Sequence, residues 1–96
     1  MYDSKLKSED MDRLFGAVLT LESVEECYKF FEDLCTISEL HSIAQRLKVA
    51  SLLKAGHTCH DISDTTGAST ATISRVNRCL HYGTGGYDVA LERMEP

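Results

Sequence analysis

Gly67 lies between two short runs of helical spacing, and this break constrains the fold more than any other feature of the chain. The stretch from Thr58 to Leu80 reads TCHDISDTTGASTATISRVNRCL. Thr58 can cap the orphan N–H groups of a first helix, and Asp61 three residues later favours the positive end of its dipole. Ile62 is the large apolar anchor of that helix, and Ser63 beside it is small enough to admit a second helix backbone. Thr65, Thr66 and Gly67 then break the helix, glycine being the residue that enters the left-handed region without steric cost. Ser69 or Thr70 caps the helix that follows.

In this second helix Ile73, Val76 and Leu80 recur at spacings of three and four, which gives one apolar stripe. The rest of its surface is small or polar and carries no carboxylate: Thr70, Ala71, Thr72, Ser74, Arg75, Asn77 and Arg78. Two helices about a glycine turn, the second with such a face, predict a helix-turn-helix over residues 58–81 whose second helix, 69–80, enters the major groove of double-stranded DNA. The candidate DNA-binding residues are Thr58, Ser69, Thr70, Ala71, Thr72, Ser74, Arg75 and Arg78. Arg78 is expected at a phosphate, and Thr70, Ala71, Thr72 and Ser74 near base edges. The competing reading is an ordinary helical hairpin with a glycine turn.

A formal net charge of −5 looks wrong for a DNA binder until it is divided along the chain. Residues 1–40 hold four Lys/Arg against ten Asp/Glu, whereas residues 41–82 hold five against two. The sign changes where the proposed DNA surface begins, and all four histidines, His41, His57, His60 and His81, lie in the basic part.

With 96 residues the chain is read as one domain, 1–96, with only a modest core of its own. Residues 8–56 are expected to supply core and dimerisation helices, and 83–96 a glycine-rich break and tail. No strand pattern stands out, so the expected class is all-α. Ser8 is read as a cap, and Met11, Leu14, Phe15, Val18 and Leu19 as one face of a helix reaching about Leu21, after a frayed stretch from Met1 to Lys7. Ser23 and Glu26 form a capping box for a second helix, whose apolar residues Val24, Cys27, Tyr28, Phe30, Phe31 and Leu34 cover more than one face and so call for two neighbours. Thr36 and Glu39 repeat the spacing ahead of the longest helix, with the stripe Ile37, Leu40, Ile43, Ala44, Leu47, Ala50 and Leu53 ending before Gly56. Asp88 to Met94 can form a last helix with Val89, Ala90, Leu91 and Met94 as its weak apolar face.

The run Gly67-Ala68-Ser69-Thr70-Ala71-Thr72-Ile73-Ser74-Arg75 resembles the reading-helix segment of the Trp repressor superfamily, in particular its YerC/YecD-type TrpR-related branch. Thr36 to Gly56 resembles the helix before the DNA-binding pair in that family. The resemblance implies a TrpR-like intertwined homodimer, with two reading helices about one DNA turn apart on a roughly palindromic target. It also implies a transcriptional regulator, a repressor by analogy. In Trp repressor an indole is held between two arginines, and Arg46 and Arg75 stand at the matching places, with Thr36 and Thr72 at pocket-lining positions. Planar guanidinium groups can stack on a ring or grip a carboxylate, so a small anionic or aromatic co-effector fits this set. The chain departs from the tryptophan binder at Val76, where that protein has glycine, and at Cys79, where it has serine. Added methyl groups and a lost hydroxyl predict that free L-tryptophan binds weakly or not at all.

Other chemistries find less support. His57, Cys59 and His60 are metal-ligand types, but three neighbours at a helix start do not converge on one ion, and no metal site is expected. No nucleophile, base and orienting acid stand in a recognisable arrangement, and Gly83-Thr84-Gly85-Gly86 lacks the strand and lysine of a phosphate loop, so no enzyme and no resident cofactor are expected. Cys27, Cys35, Cys59 and Cys79 are too scattered for a disulfide framework and are read mostly as buried thiols. Without a long apolar run near either end, neither a signal peptide nor a membrane partner is expected, and the predicted location is cytoplasmic. The alternative function is a small acidic helical dimer that binds another protein and no DNA.

Overall fold

The structure, a computed structural model, describes residues 2–94, and among these residues it contains six α-helices and no strand. The helices are α1 (Glu9–Val18), α2 (Val24–Leu34), α3 (Ile37–Lys54), α4 (Cys59–Thr66), α5 (Thr70–Tyr82) and α6 (Gly86–Met94). The fold is all-α, as the sequence predicts. The chain divides into two units at Ile37/Ser38.

In the first unit, Ser8 and Ser23 are the caps of α1 and α2, each hydroxyl accepting a backbone N–H three residues on at 3.1 Å. The return arm of the second capping box is displaced by one residue, since Glu26 Oε1 accepts from the Glu22 N–H at 2.9 Å. The stretch expected to fray forms a turn instead: Ser4 accepts from both Leu6 and Lys7, and the Lys7 ammonium pairs with Asp12. Met1 lies outside the described residues. α1 stops at Val18 and not near Leu21, because Thr20 and Leu21 donate to carbonyls three residues back and the Thr20 hydroxyl takes the Ala17 carbonyl. Neither α1 nor α2 contains a buried residue. Phe30 and Phe31 meet edge to face with centroids 5.4 Å apart and are half-buried.

The second unit has a core of Val49, Ala50, Ile62, Ala68, Ile73, Val76 and Leu91, with Leu47, Leu52, Leu53, Leu80 and Tyr87 packed against it. The predicted stripe on α3 is therefore corrected. Ile37 and Ile43 are 74% and 53% exposed and Ala44 is exposed, whereas Val49, absent from that stripe, is fully buried. Only the C-terminal half of α3 faces a partner element within its own unit, because only α4, α5 and α6 return to cover it. α3 ends in a paired 6→1 and 5→2 arrangement, with His57 donating to Leu52 and Gly56 to Leu53 at 3.1 Å. The last helix starts at Gly86, two residues earlier than expected. That brings Tyr87 onto the core beside Leu91 one turn later, while Val89, Ala90 and Met94 of the predicted face stay exposed. Lys54 at the end of α3 reaches Asp88 on α6 at 2.6 Å, and this hydrogen bond and attraction raise the lysine pKa above its ordinary value.

Candidate nucleic-acid interface

α4 starts at Thr58, whose hydroxyl accepts the Asp61 N–H at 3.1 Å. Ile62, fully buried, holds the helix to the core. At its end the Thr66 hydroxyl donates to the Ile62 carbonyl at 2.7 Å and accepts the Ala68 N–H at 3.1 Å. Gly67 has φ 74°, the left-handed conformation predicted from the sequence, and its N–H reaches the Ser63 carbonyl at 2.9 Å. The Ser63 hydroxyl donates to the Ala68 carbonyl at 3.1 Å, so the small residue expected to admit the second helix also bonds the turn. Almost every polar group of the turn thus has a local partner, which makes the angle between the two helices a fixed property of the chain.

The cap of α5 is Ser69, which accepts the Thr72 N–H at 3.1 Å and settles the choice between Ser69 and Thr70. Ile73 and Val76 are buried and Leu80 half-buried, as the apolar stripe required. The opposite side carries Thr70, Ala71, Ser74, Arg75, Asn77 and Arg78, all exposed, and the first turn holds no acidic residue. Arg75 and Arg78 have no ion-pair or hydrogen-bond partner among the described residues, so their guanidinium groups are available to an external anion. Thr72 differs from its neighbours. It is half-buried, with its hydroxyl 3.1 Å from that of Ser69. Thr58 and Ser69 are exposed and use their lone pairs as caps; the Ser69 hydroxyl donates to Thr72, while Thr58 keeps a proton to orient.

Among the four candidate ligand residues, Arg46 is the one that lines a cavity of the second unit. Arg46 lines an open cavity of 570 Å³ together with Ile43, Leu47, Cys79, the run Gly83 to Gly86, Tyr87 and Ala90. Arg75 and Thr72 are not among its lining residues, and Thr36 belongs to the first unit. Val76, 1% exposed, is spent on the core. The glycine run and Tyr87 escaped the sequence reading as cavity walls, although Tyr87 and Leu91, one helical turn apart, were a usable signal.

Cys27, Cys59 and Cys79 are exposed and Cys35 half-buried, contrary to the expectation of mostly buried thiols. Cys27, Cys59 and Cys79 occupy helix faces that lack a cover in the single chain, and Cys35 is the residue that ends α2. His60 pairs with Asp64 on α4 at 3.3 Å, and no three His, Cys, Asp or Glu side chains gather as metal ligands among the described residues. No helix in the described residues is long and apolar enough to cross a membrane.

Residues 9–95 match the model of the Trp repressor protein family. The chain belongs to the Trp repressor family. Over 95 residues it is 55% identical to YerC of Bacillus subtilis (strain 168), an uncharacterized protein, covering 99% of this chain and 91% of that one. A TrpR-like protein from Eubacterium eligens ATCC 27750 superposes with a TM-score of 0.90 at 53% identity, over 94% of this chain and 93% of the other. A structure from Staphylococcus aureus superposes with a TM-score of 0.91 at 53% identity, over 94% and 90%. Family membership and these two likenesses make the chain a member of a DNA-binding regulator family with a TrpR-like fold.

Proposed function

We propose that the protein is a sequence-specific DNA-binding transcriptional regulator, a repressor, that reads the major groove with α5 as a homodimer. The observation that carries this reading is the exposed face of α5. It presents short side chains at its N-terminal end and two unpaired arginines beyond them, on a backbone held by buried Ile73 and Val76, half-buried Leu80 and a turn bonded through Ser63 and Thr66. Short residues let the helix approach base edges, while Arg75 and Arg78 can meet phosphates. Dimerisation follows from the apolar surface of α1 and α2. Leu19, Val24 and Tyr28 are 85%, 73% and 65% exposed, and a second copy offers the matching surface in an isologous contact. The whole of 1–96 then acts as one TrpR-like domain in the cytoplasm.

For a co-effector, Arg46 in its largely apolar cavity favours a small molecule with an anionic group and an apolar body. Free L-tryptophan is disfavoured by Val76 and Cys79. Calorimetric titration with L-tryptophan, with and without DNA, is expected to give no micromolar binding. The second reading, an acidic protein-interaction dimer, draws on the ten carboxylates against four bases in residues 1–40.

Selection of bound fragments from random DNA, followed by titration against salt, separates the two. Binding to a near-palindromic site with a steep negative log–log slope, about −0.9 per phosphate contact, supports DNA reading. Arg78→Ala is expected to weaken all sequences alike and to lower that slope by about one contact. An altered sequence preference at unchanged slope would place Arg78 at a base instead.

A further inference from the structure

A second polar surface adjoins the reading head. His41, Ala44, Gln45 and Lys48 on α3 face Thr65 and Thr66 at the end of α4 across an open groove of 390 Å³. His41, Gln45 and Lys48 fall at spacings of four and three, so they share one side of α3. The two walls are joined by a hydrogen bond from Gln45 Nε2 to the Thr66 carbonyl at 3.3 Å, which holds the groove at a set width. No carboxylate lines it. In a chain where acids outnumber bases fifteen to ten, His41 and Lys48 nevertheless have no ion-pair or hydrogen-bond partner among the described residues. A permanent cation, an imidazole and the Thr65 hydroxyl converging on one gap are the donor set of a phosphate group.

From this groove we infer a phosphate-binding site on α3, built by Lys48, His41 and Thr65, that takes a backbone phosphate of the DNA flanking the bases read by α5. The inference rests on the DNA-reading function proposed above. Thr66 stands three residues before the cap of α5, so the chain between them spans at most about 11 Å. Double-stranded DNA carries a phosphate charge about every 1.7 Å of its axis, so a span of about 11 Å puts phosphates of the stretch that α5 enters within reach of the groove. Half or more of protein–DNA hydrogen bonds go to phosphate and sugar, and they fix register on the duplex, a role α5 alone leaves to two arginines. The same chemistry would also accept a free phosphate, and the test separates the two sources.

The test compares Lys48→Ala and His41→Gln with the intact chain, all checked for unchanged helical circular dichroism. DNA affinity is measured from 50 to 300 mM salt on a selected site and on unrelated DNA, and inorganic phosphate is titrated calorimetrically without DNA. For a DNA phosphate, Lys48→Ala lowers the salt slope by about 0.9 and weakens selected and unrelated DNA by the same factor, about three- to tenfold. A slope unchanged in both variants, with inorganic phosphate binding that Lys48→Ala abolishes, assigns the site to a free phosphate. Unchanged slopes with no phosphate binding overturn the site. Failure of the intact chain to bind any selected DNA defeats the reading beneath it, and the phosphate titration alone then decides the groove.

Discussion

The two units of the chain treat apolar surface in opposite ways. From Ser38 onward, α4, α5 and α6 bring Ile62, Ile73, Val76 and Leu91 around Val49 and Ala50, and polar residues are left outside. Up to Ile37, one helix with an apolar face and a second with apolar residues on more than one face contain no buried side chain. The acidic part is thus the one without a core, and the part with it is charge-balanced, six Lys/Arg against six Asp/Glu in residues 38–96. The difference separates two jobs. A reading head has to keep its geometry unaided, whereas surface left uncovered in one chain is the material from which an association between chains is made.

The largest effect expected from testing this contrast comes from Ile62→Ala. A fully buried isoleucine between α4 and the core should cost about 2–5 kcal/mol, seen as a lowered midpoint in urea unfolding. The same truncation of Leu19, 85% exposed, should cost well under 1 kcal/mol in a monomer. A large, concentration-dependent loss at Leu19 would place that residue in the dimer interface and give the first unit its missing cover.

Next in size is Gly67→Val. A β-branched residue at φ 74° should strain the turn by about 1–3 kcal/mol, abolish specific DNA binding and leave most helical content in place. The added Cβ meets nothing within 4 Å, so the effect is a backbone effect and Gly67→Asn should be milder. Unchanged DNA binding by the valine variant would show that the angle between α4 and α5 is not what the turn controls.

The substitution Tyr28→Ser is expected to leave the fold of the second unit intact while weakening self-association several-fold by sedimentation, because Tyr28 is 65% exposed on the uncovered face of α2. If association is untouched, a different face of the first unit is the one that pairs.

The smallest effect concerns the Lys54–Asp88 link, which ties α6 to α3. The folded lysine pKa lies above its ordinary value, so the stabilisation is complete below the ordinary lysine range and is lost as pH rises through the raised value. Protection of the α6 amides, taken relative to the intrinsic base-catalysed exchange rate, should fall in alkaline solution in the intact chain, and Asp88→Asn should remove that fall. Both side chains are well exposed, so the effect on global stability is slight.

The parts of the fold written in local chemistry were legible in the sequence. Ser8, Ser23 and Thr58 cap where they were expected to, Gly67 has its positive φ, and Ile73 and Val76 point inward. Each of these depends on a few neighbouring residues. What escaped depends on elements distant in sequence. Val49 was missed and Ile43 overvalued because the buried side of α3 is decided by where α4, α5 and α6 return to it, and period alone does not say which side that is. Tyr87 was missed because its burial follows from α6 starting at Gly86. In the candidate site, the exposed face of α5 followed from helical period, while the set of residues that walls the cavity beside Arg46 is a matter of tertiary placement that matching sequence positions do not encode.

Gly83 closes α5: its N–H takes the Cys79 carbonyl at 2.9 Å, and a Cβ there would run into that same carbonyl oxygen. With Ser69 fixing the other end, α5 is a cassette whose two stops both lie outside the exposed positions 70, 71, 74, 75 and 78. Positions 70, 71, 74, 75 and 78 can therefore be rewritten as a set without disturbing how the helix begins, ends or docks. Under the DNA-reading function proposed above, new operators come within reach through surface substitutions alone, and an engineer seeking a new target should randomise those five positions while holding Ser69 and Gly83 constant.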